Sequence, residues 1–112
     1  LIEPRLASGI QISAIKRLAE AQGDIATVLK KGDPTSGAIL LIGLVRGADP
    51  VIFERYPSLD GTTAWQTVAS NESDTSTDAY WKKRCARDTD LWVLELDVVS
   101  RARLDGLLGA LN

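Results

Sequence analysis

The chain has 112 residues, 45% hydrophobic and 25% charged, the size of one domain that buries something over ~60% of its unfolded surface without staples. Its single cysteine, Cys85, excludes an intrachain disulfide, and the lack of histidine excludes a Cys/His zinc cluster and every Ser-His or Cys-His catalytic arrangement. A net charge of −2, with both signs spread along the chain, provides no whole-domain field for nucleic acid or a membrane surface.

Chemistry is thereby left to carboxylates, lysine, tyrosine and the lone cysteine. No apolar run approaches the ~20 residues that cross a bilayer, and the first residues lack a signal-peptide pattern, so a cytoplasmic protein is the default expectation. The chain starts at Leu1 and contains no methionine, which suggests a numbering that begins inside a longer sequence.

Leu1 to Ala7 reads as an irregular lead-in, with Pro4 biasing Glu3 away from helix. Ser8 and Gln11 have the spacing of a capping box, and Ile10, Ala14, Leu18 and Ala21, widened by Ile15, predict a helix stopped by Gly23. Ile25 to Lys30 is a short strand, followed by a turn over Gly32, Asp33, Pro34, Thr35, Ser36 and Gly37. No lysine closes that turn, so it is not a phosphate loop. Ala38 to Val45 is apolar on both faces, as a central strand or a subunit contact would be. A turn over Gly47 to Pro50 leads into Val51 to Tyr56, and another at Ser58 to Gly61 leads to a strand around Ala64 to Ala69. These four runs at short spacing predict an antiparallel meander.

Asn71 to Thr77 is a polar loop ending in a helix cap, and a helix from about Asp78 to Arg87 places Tyr80, Trp81, Arg84 and Cys85 on one face. In the stretch from Asp88 to Asp97, Trp92, Leu94, Leu96 and Val98 fall on one side of a strand, while Leu91, Val93, Glu95 and Asp97 fall on the other. The second side turns acidic at its end. Ser100 caps a last helix whose stripe is Leu104, Leu107, Leu108 and Leu111.

Arg84 among apolar neighbours needs a carboxylate or carbonyl partner, and Glu95, Asp88 and Asp90 are the nearest in sequence. A structural ion pair is the plain reading, and an anion-binding arginine in a cleft is the functional one. Glu95 and Asp97 lie roughly 7 Å apart on a common face. With Asp88 and Asp90 they supply the hard oxygen donors that Mg²⁺ or Mn²⁺ takes, although caps, turns and solvated strand ends need the same residues. A restriction-type nuclease core would want a lysine two positions after its strand glutamate, where this chain has Asp97. Lys82, Lys83, Arg84 and Arg87 form a basic cluster that a helix dipole accounts for, with Asp74 and Asp78 at the other end, which leaves nucleic acid a weak alternative. Cys85 reads as a small buried hydrophobe. Trp65 and Trp92 read as core or interface anchors, with Trp65 also a candidate surface for ligand stacking.

Several of these residues together resemble a known family. Arg5, Leu6, Ser8, Ile10, Lys16, Arg17, Gly32, Asp33, Ser36, Gly37, Ala38, Trp65, Tyr80, Arg84 and above all Asp88 to Glu95 resemble a small alphaproteobacterial domain-of-unknown-function family. That family carries an Asp-Pro-Asp-Leu-Trp-Val-Val-Glu signature near its end. The resemblance runs from about Arg5 to Asp97, leaving the final helix outside. Thr89 stands in place of the signature's proline, which would loosen the turn, and Leu94 in place of a valine. It implies a compact intracellular α+β domain and supplies no activity, cofactor or catalytic residue.

The expectation is a single α+β domain: an N-terminal helix, a mainly antiparallel sheet of about five strands, a helix before the last strand and a C-terminal helix. Its leading function is a non-enzymatic binding or protein-interaction module able to self-associate. The alternatives are a small hydrolase or ligand-binding enzyme using Arg84, Glu95 and Asp97, with or without Mg²⁺, and nucleic-acid binding through Lys82, Lys83 and Arg87.

Overall fold

The structure, a computed structural model, describes residues 7–57, 63–68 and 76–110. They form α1 (Ser8–Ala21), β1 (Ile25–Lys30), β2 (Ile39–Val45), β3 (Ala48–Pro57), β4 (Thr63–Thr67), α2 (Thr77–Arg87), β5 (Trp92–Val98) and α3 (Arg101–Ala110). The expected lead-in over residues 1–6, the turn from Ser58 to Gly61, Ala69, loop residues 71–75 including Asp74, and Leu111 lie outside the described residues.

The strand order is β1-β5-β2-β3-β4. β5 runs antiparallel to β1 and parallel to β2, whereas β2, β3 and β4 are antiparallel neighbours. This corrects the four-run meander: only its last three strands pair in sequence, and β5 inserts between β1 and β2. β2, apolar on both faces, thus takes the centre, flanked by β5, whose first half, Trp92 to Leu94, is apolar on both sides. The segment between Lys30 and Ile39 is too long for a tight hairpin, and it spans the width of an intervening strand instead. Between β2 and β3 the turn is tighter than expected. Val45 pairs with Ala48, Arg46 and Gly47 both have positive φ as a type I′ two-residue hairpin turn requires, and Ala48 to Pro50 already belong to β3.

Three layers result. On one face Ile39, Leu41, Phe53, Leu94, Leu96 and Val98 meet α1 through Ile12, Ile15 and Ala19, and α3 through Leu104, Leu107 and Leu108. On the other, Leu40, Ile42, Ile52, Leu91 and Val93 lie under Tyr80, Trp81 and Cys85 of α2. The doubly apolar strand and the leucines of α3 are therefore both used inside the chain's own core.

The predicted apolar stripe of α1 is rotated. Ser8, Ile12, Ile15 and Ala19 face inward, and Ile10 is 57% exposed. Nor do Ser8 and Gln11 form a capping box: the N-cap is Ala7, without a side-chain cap bond. The first helical donors go instead to the segment between β1 and β2, with Ser8 N donating to Thr35 O and Gly9 N to Pro34 O. Gly23 does end the region with φ 85°, and Ser100 Oγ accepts from Arg103 N at the start of α3. Arg103 also ties α3 to the end of α1, donating to the buried Asp24 carboxylate at 3.2 Å and to Gln22 O at 2.9 Å.

Candidate functional site

α2 is a polar helix on an apolar floor. Ser76 caps it, its hydroxyl oxygen accepting from Ala79 N at 3.1 Å. No α2 residue is fully buried. One carboxylate holds it down: Glu54 of β3, 5% exposed, accepts from Arg84 Nη2 at 2.8 Å on Oε1 and from Tyr80 OH at 2.9 Å on Oε2. Arg84 Nε adds a longer contact to Oε2 at 3.4 Å. The hydrogen bond to Glu54 is the main reason the Arg84 guanidinium holds its proton more tightly than usual.

The partner of Arg84 is thus Glu54, not Glu95, Asp88 or Asp90. The alternation of β3 was a signal for it, because Glu54 shares a strand face with Ile52 and so enters the core on the α2 side. Elsewhere on α2, Lys82, Lys83 and Arg87 point to solvent, and Lys82 Nζ lies 5.7 Å from the Trp81 ring centre. Cys85 is half-buried; burial pushes its thiol pKa up, against the weaker pull of Lys30 and Arg84.

The stretch Asp88 to Trp92 forms a clasp. Asp88 Oδ1 accepts from Asp90 N, and Asp90 O accepts from Asp33 N. Trp92 Nε1 donates to Asp33 O at 2.7 Å, and Lys30 Nζ donates to Thr89 O at 2.8 Å and Leu91 O at 3.1 Å. Thr89 thus sits in a turn held by an aspartate and a lysine. Opposite it, Gly32 and Gly37 approach so closely that a Cβ on either would stand 2.2 Å from Asp90 O. Asp33 Oδ2 accepts from Thr35 N, Ser36 N and Ser36 Oγ, and the backbone donors hold its carboxyl below the usual range. Ser8 Oγ completes the clasp by donating to Gly37 O at 2.6 Å. Ser8, Gly32, Asp33, Gly37, Asp88 and Trp92 are therefore one structural unit joining α1, the β1–β2 segment and the entrance to β5.

Glu95 and Asp97 do share the α2-side face. Thr27, Glu95 and Ile42 form one row across β1, β5 and β2, and Ile25, Asp97 and Leu44 form the next. Asp97 Oδ1 accepts from Gly47 N at 2.9 Å, bracing the β2–β3 turn. Glu95 is half-buried, and its side chain makes no hydrogen bond or ion pair among the described residues. At this end no described helix covers the sheet: Ile25 is 62% exposed and Val99, just past β5, 46%.

Trp65 is elsewhere. It lies on the α1/α3 side with the Arg55 guanidinium 4.3 Å from its ring centre, and Arg55 Nη1 donates to Gln11 Oε1 at 3.1 Å. The sequence candidates thus divide into a latch (Arg84), a clasp (Asp88, Asp90), an open sheet end (Glu95, Asp97) and a ring on the opposite face (Trp65). Among the described residues no three His, Cys, Asp or Glu side chains are grouped to hold a metal ion. Nor is any helix among them long and apolar enough to cross a membrane.

Comparison with known proteins agrees with this architecture. The chain is similar to a DUF1491 family protein from Caulobacter crescentus CB15 known from a crystal structure, at 30% identity over 86% of this chain and 91% of that one, with a TM-score of 0.78. An NMR structure of a DUF1491 family protein from the same organism gives 30% identity, 86% and 88% coverage, and a TM-score of 0.74. The solution structure of protein Atu0922 from A. tumefaciens gives 25%, 85% and 87%, and 0.69. No curated protein matches the chain. The family model described as a protein of unknown function (DUF1491) matches residues 6–104, from the lead-in to α1 through the clasp, latch and open sheet end and into α3, and the chain belongs to that family.

Proposed function

We propose that this chain is a non-enzymatic protein-interaction domain that receives its partner on the uncovered end of the α2-side sheet face. The observation that carries the reading is the contrast along that face: sealed by α2 over Leu40, Ile52 and Val93, and open towards its end, where Ile25 and Val99 are exposed and Glu95 and Leu44 are half-buried. Exposed apolar residues grouped on a rigid sheet, with a polar group beside them, are what a docking surface presents. The groups that acid–base chemistry would draw on have structural employment instead. Glu54 and Arg84 hold α2, Asp88 and Asp33 hold the clasp, and Asp97 braces a turn.

The test is a pull-down from a native lysate with the wild-type chain beside an Ile25→Asp, Val99→Asp variant shown to keep its circular dichroism and melting temperature. A stoichiometric protein retained by the wild type and lost by the variant is the expected result. Recovery of the bait alone, or of the same protein with both baits, overturns the reading.

A further inference from the structure

We infer that the occupant of the open sheet end is a segment of another protein in which a lysine or arginine stands between apolar residues, the cation seated on Glu95. This rests on the interaction reading above. The first reason is the cost of covering the face. The exposed Ile25 and Val99 favour an apolar cover, yet the same cover strips water from Glu95, and a desolvated, unpaired carboxylate opposes binding strongly. An occupant that satisfies both demands brings a cation together with apolar side chains.

The other half of the same face is covered in that way by the chain itself. There α2 sets Arg84 and Tyr80 on the Glu54 carboxylate while Trp81 and Cys85 pack on the apolar floor. Glu95 stands one row along from that arrangement, beside Thr27 and Ile42, and lacks its counterpart of Arg84. Thr27 is small and exposed, which leaves the approach from the β1 side open to a long cationic side chain. Asp97 contributes a second negative charge, already tied to Gly47 N, and Arg46 marks the far rim, its Nε donating to Val99 O at 3.2 Å. Glu95 is therefore the anchor.

Other occupants fit less well. A second copy related by a two-fold axis brings Glu95 and Asp97 towards their own equivalents, a like-charge contact. A copy docking the basic outer side of α2, with Lys82, Lys83 and Arg87, makes a head-to-tail contact that does not close. A nucleic acid places phosphates against two carboxylates.

The experiment is selection from a random dodecapeptide library on the immobilised full chain, with counter-selection on Ile25→Asp, followed by affinity measurement on wild type, Glu95→Gln and Glu95→Lys. The expected peptides have lysine or arginine flanked by apolar residues, lose about tenfold in affinity on Glu95→Gln, and weaken with salt. Selection on Glu95→Lys should turn towards acidic peptides. Peptides that need Ile25 but are purely apolar or acidic, or that ignore Glu95→Gln, overturn the cationic partner and leave the docking face standing. A library yielding no peptide that distinguishes wild type from Ile25→Asp overturns both.

Discussion

The two faces of the sheet are covered by helices held in different ways. On the α1/α3 side the contact is made by side chains that solvent scarcely reaches: Ile15, Ala19, Leu94, Leu96, Leu104 and Leu107 are each 2% exposed or less. Attraction there is the sum of many small, non-directional contacts, so no single polar atom is decisive. On the α2 side the floor is as apolar, but its cover is a helix with Lys82, Lys83, Arg84 and Arg87 and no fully buried residue. What the helix lacks in burial is supplied among the described residues by a directional device, the Glu54 carboxylate between Arg84 and Tyr80. A helix docked by its stripe yields gradually to mutation, whereas a helix docked by a latch depends on a few atoms and leaves part of its floor free.

The largest effect is expected where packing is densest. Leu104 is 1% exposed, and a Cβ on Gly43 of β2 would stand 2.6 Å from its Cδ2, so the helix and the strand are in close contact at this point. Leu104→Ala should cost about 2–5 kcal/mol, read from urea unfolding, with the loss spread over the whole domain because the core is cooperative. A loss confined to α3 by hydrogen exchange would remove the distinction between the faces.

Breaking the latch should cost less. In Glu54→Gln, Arg84 keeps its charge near an apolar floor with its ionic partner gone, and since its side chain is 24% exposed the penalty is discounted to about 1–3 kcal/mol. Replacing both partners, Glu54→Leu with Arg84→Met, should recover much of that, because the stranded charge is removed with its mate. A double variant no better than Glu54→Gln would show that the latch holds α2 by geometry more than by charge. The smallest effect is expected from Ser76→Ala, about 1 kcal/mol for the lost cap. It should raise amide exchange in the first turn of α2 while leaving α1 and α3 unchanged.

Much of the architecture was legible because it is local. The alternation in Trp92 to Val98 put the correct residues on each side of β5, the leucines of α3 and Ser100 marked a stripe and a cap within a turn of their own positions, and the polar loop ending at Thr77 announced a cap that Ser76 supplies. The sequence reading failed wherever a partner came from far away. Ser8 resembled a cap for its own helix but donates to Gly37, a separation of 29 residues, since the clasp offers a buried carbonyl. The meander failed because nothing between Lys30 and Ile39 announces that β5 will lie between the strands it joins. Arg84 required a carboxylate, and its apolar neighbours made that plain, yet the nearest acids in sequence were not the answer.

By itself, the sequence determined the alternation of β5, the stripe and cap of α3, the stop at Gly23, the class of fold and the fact that Arg84 would be paired, because these follow from residues within a few positions of one another. Only the tertiary structure decided which carboxylate serves Arg84, which turn Trp92 closes, and that Glu95 is left at an open edge of the helical cover. Those outcomes depend on strand order, and strand order is set by the burial of whole faces, a property that no short window of the chain contains.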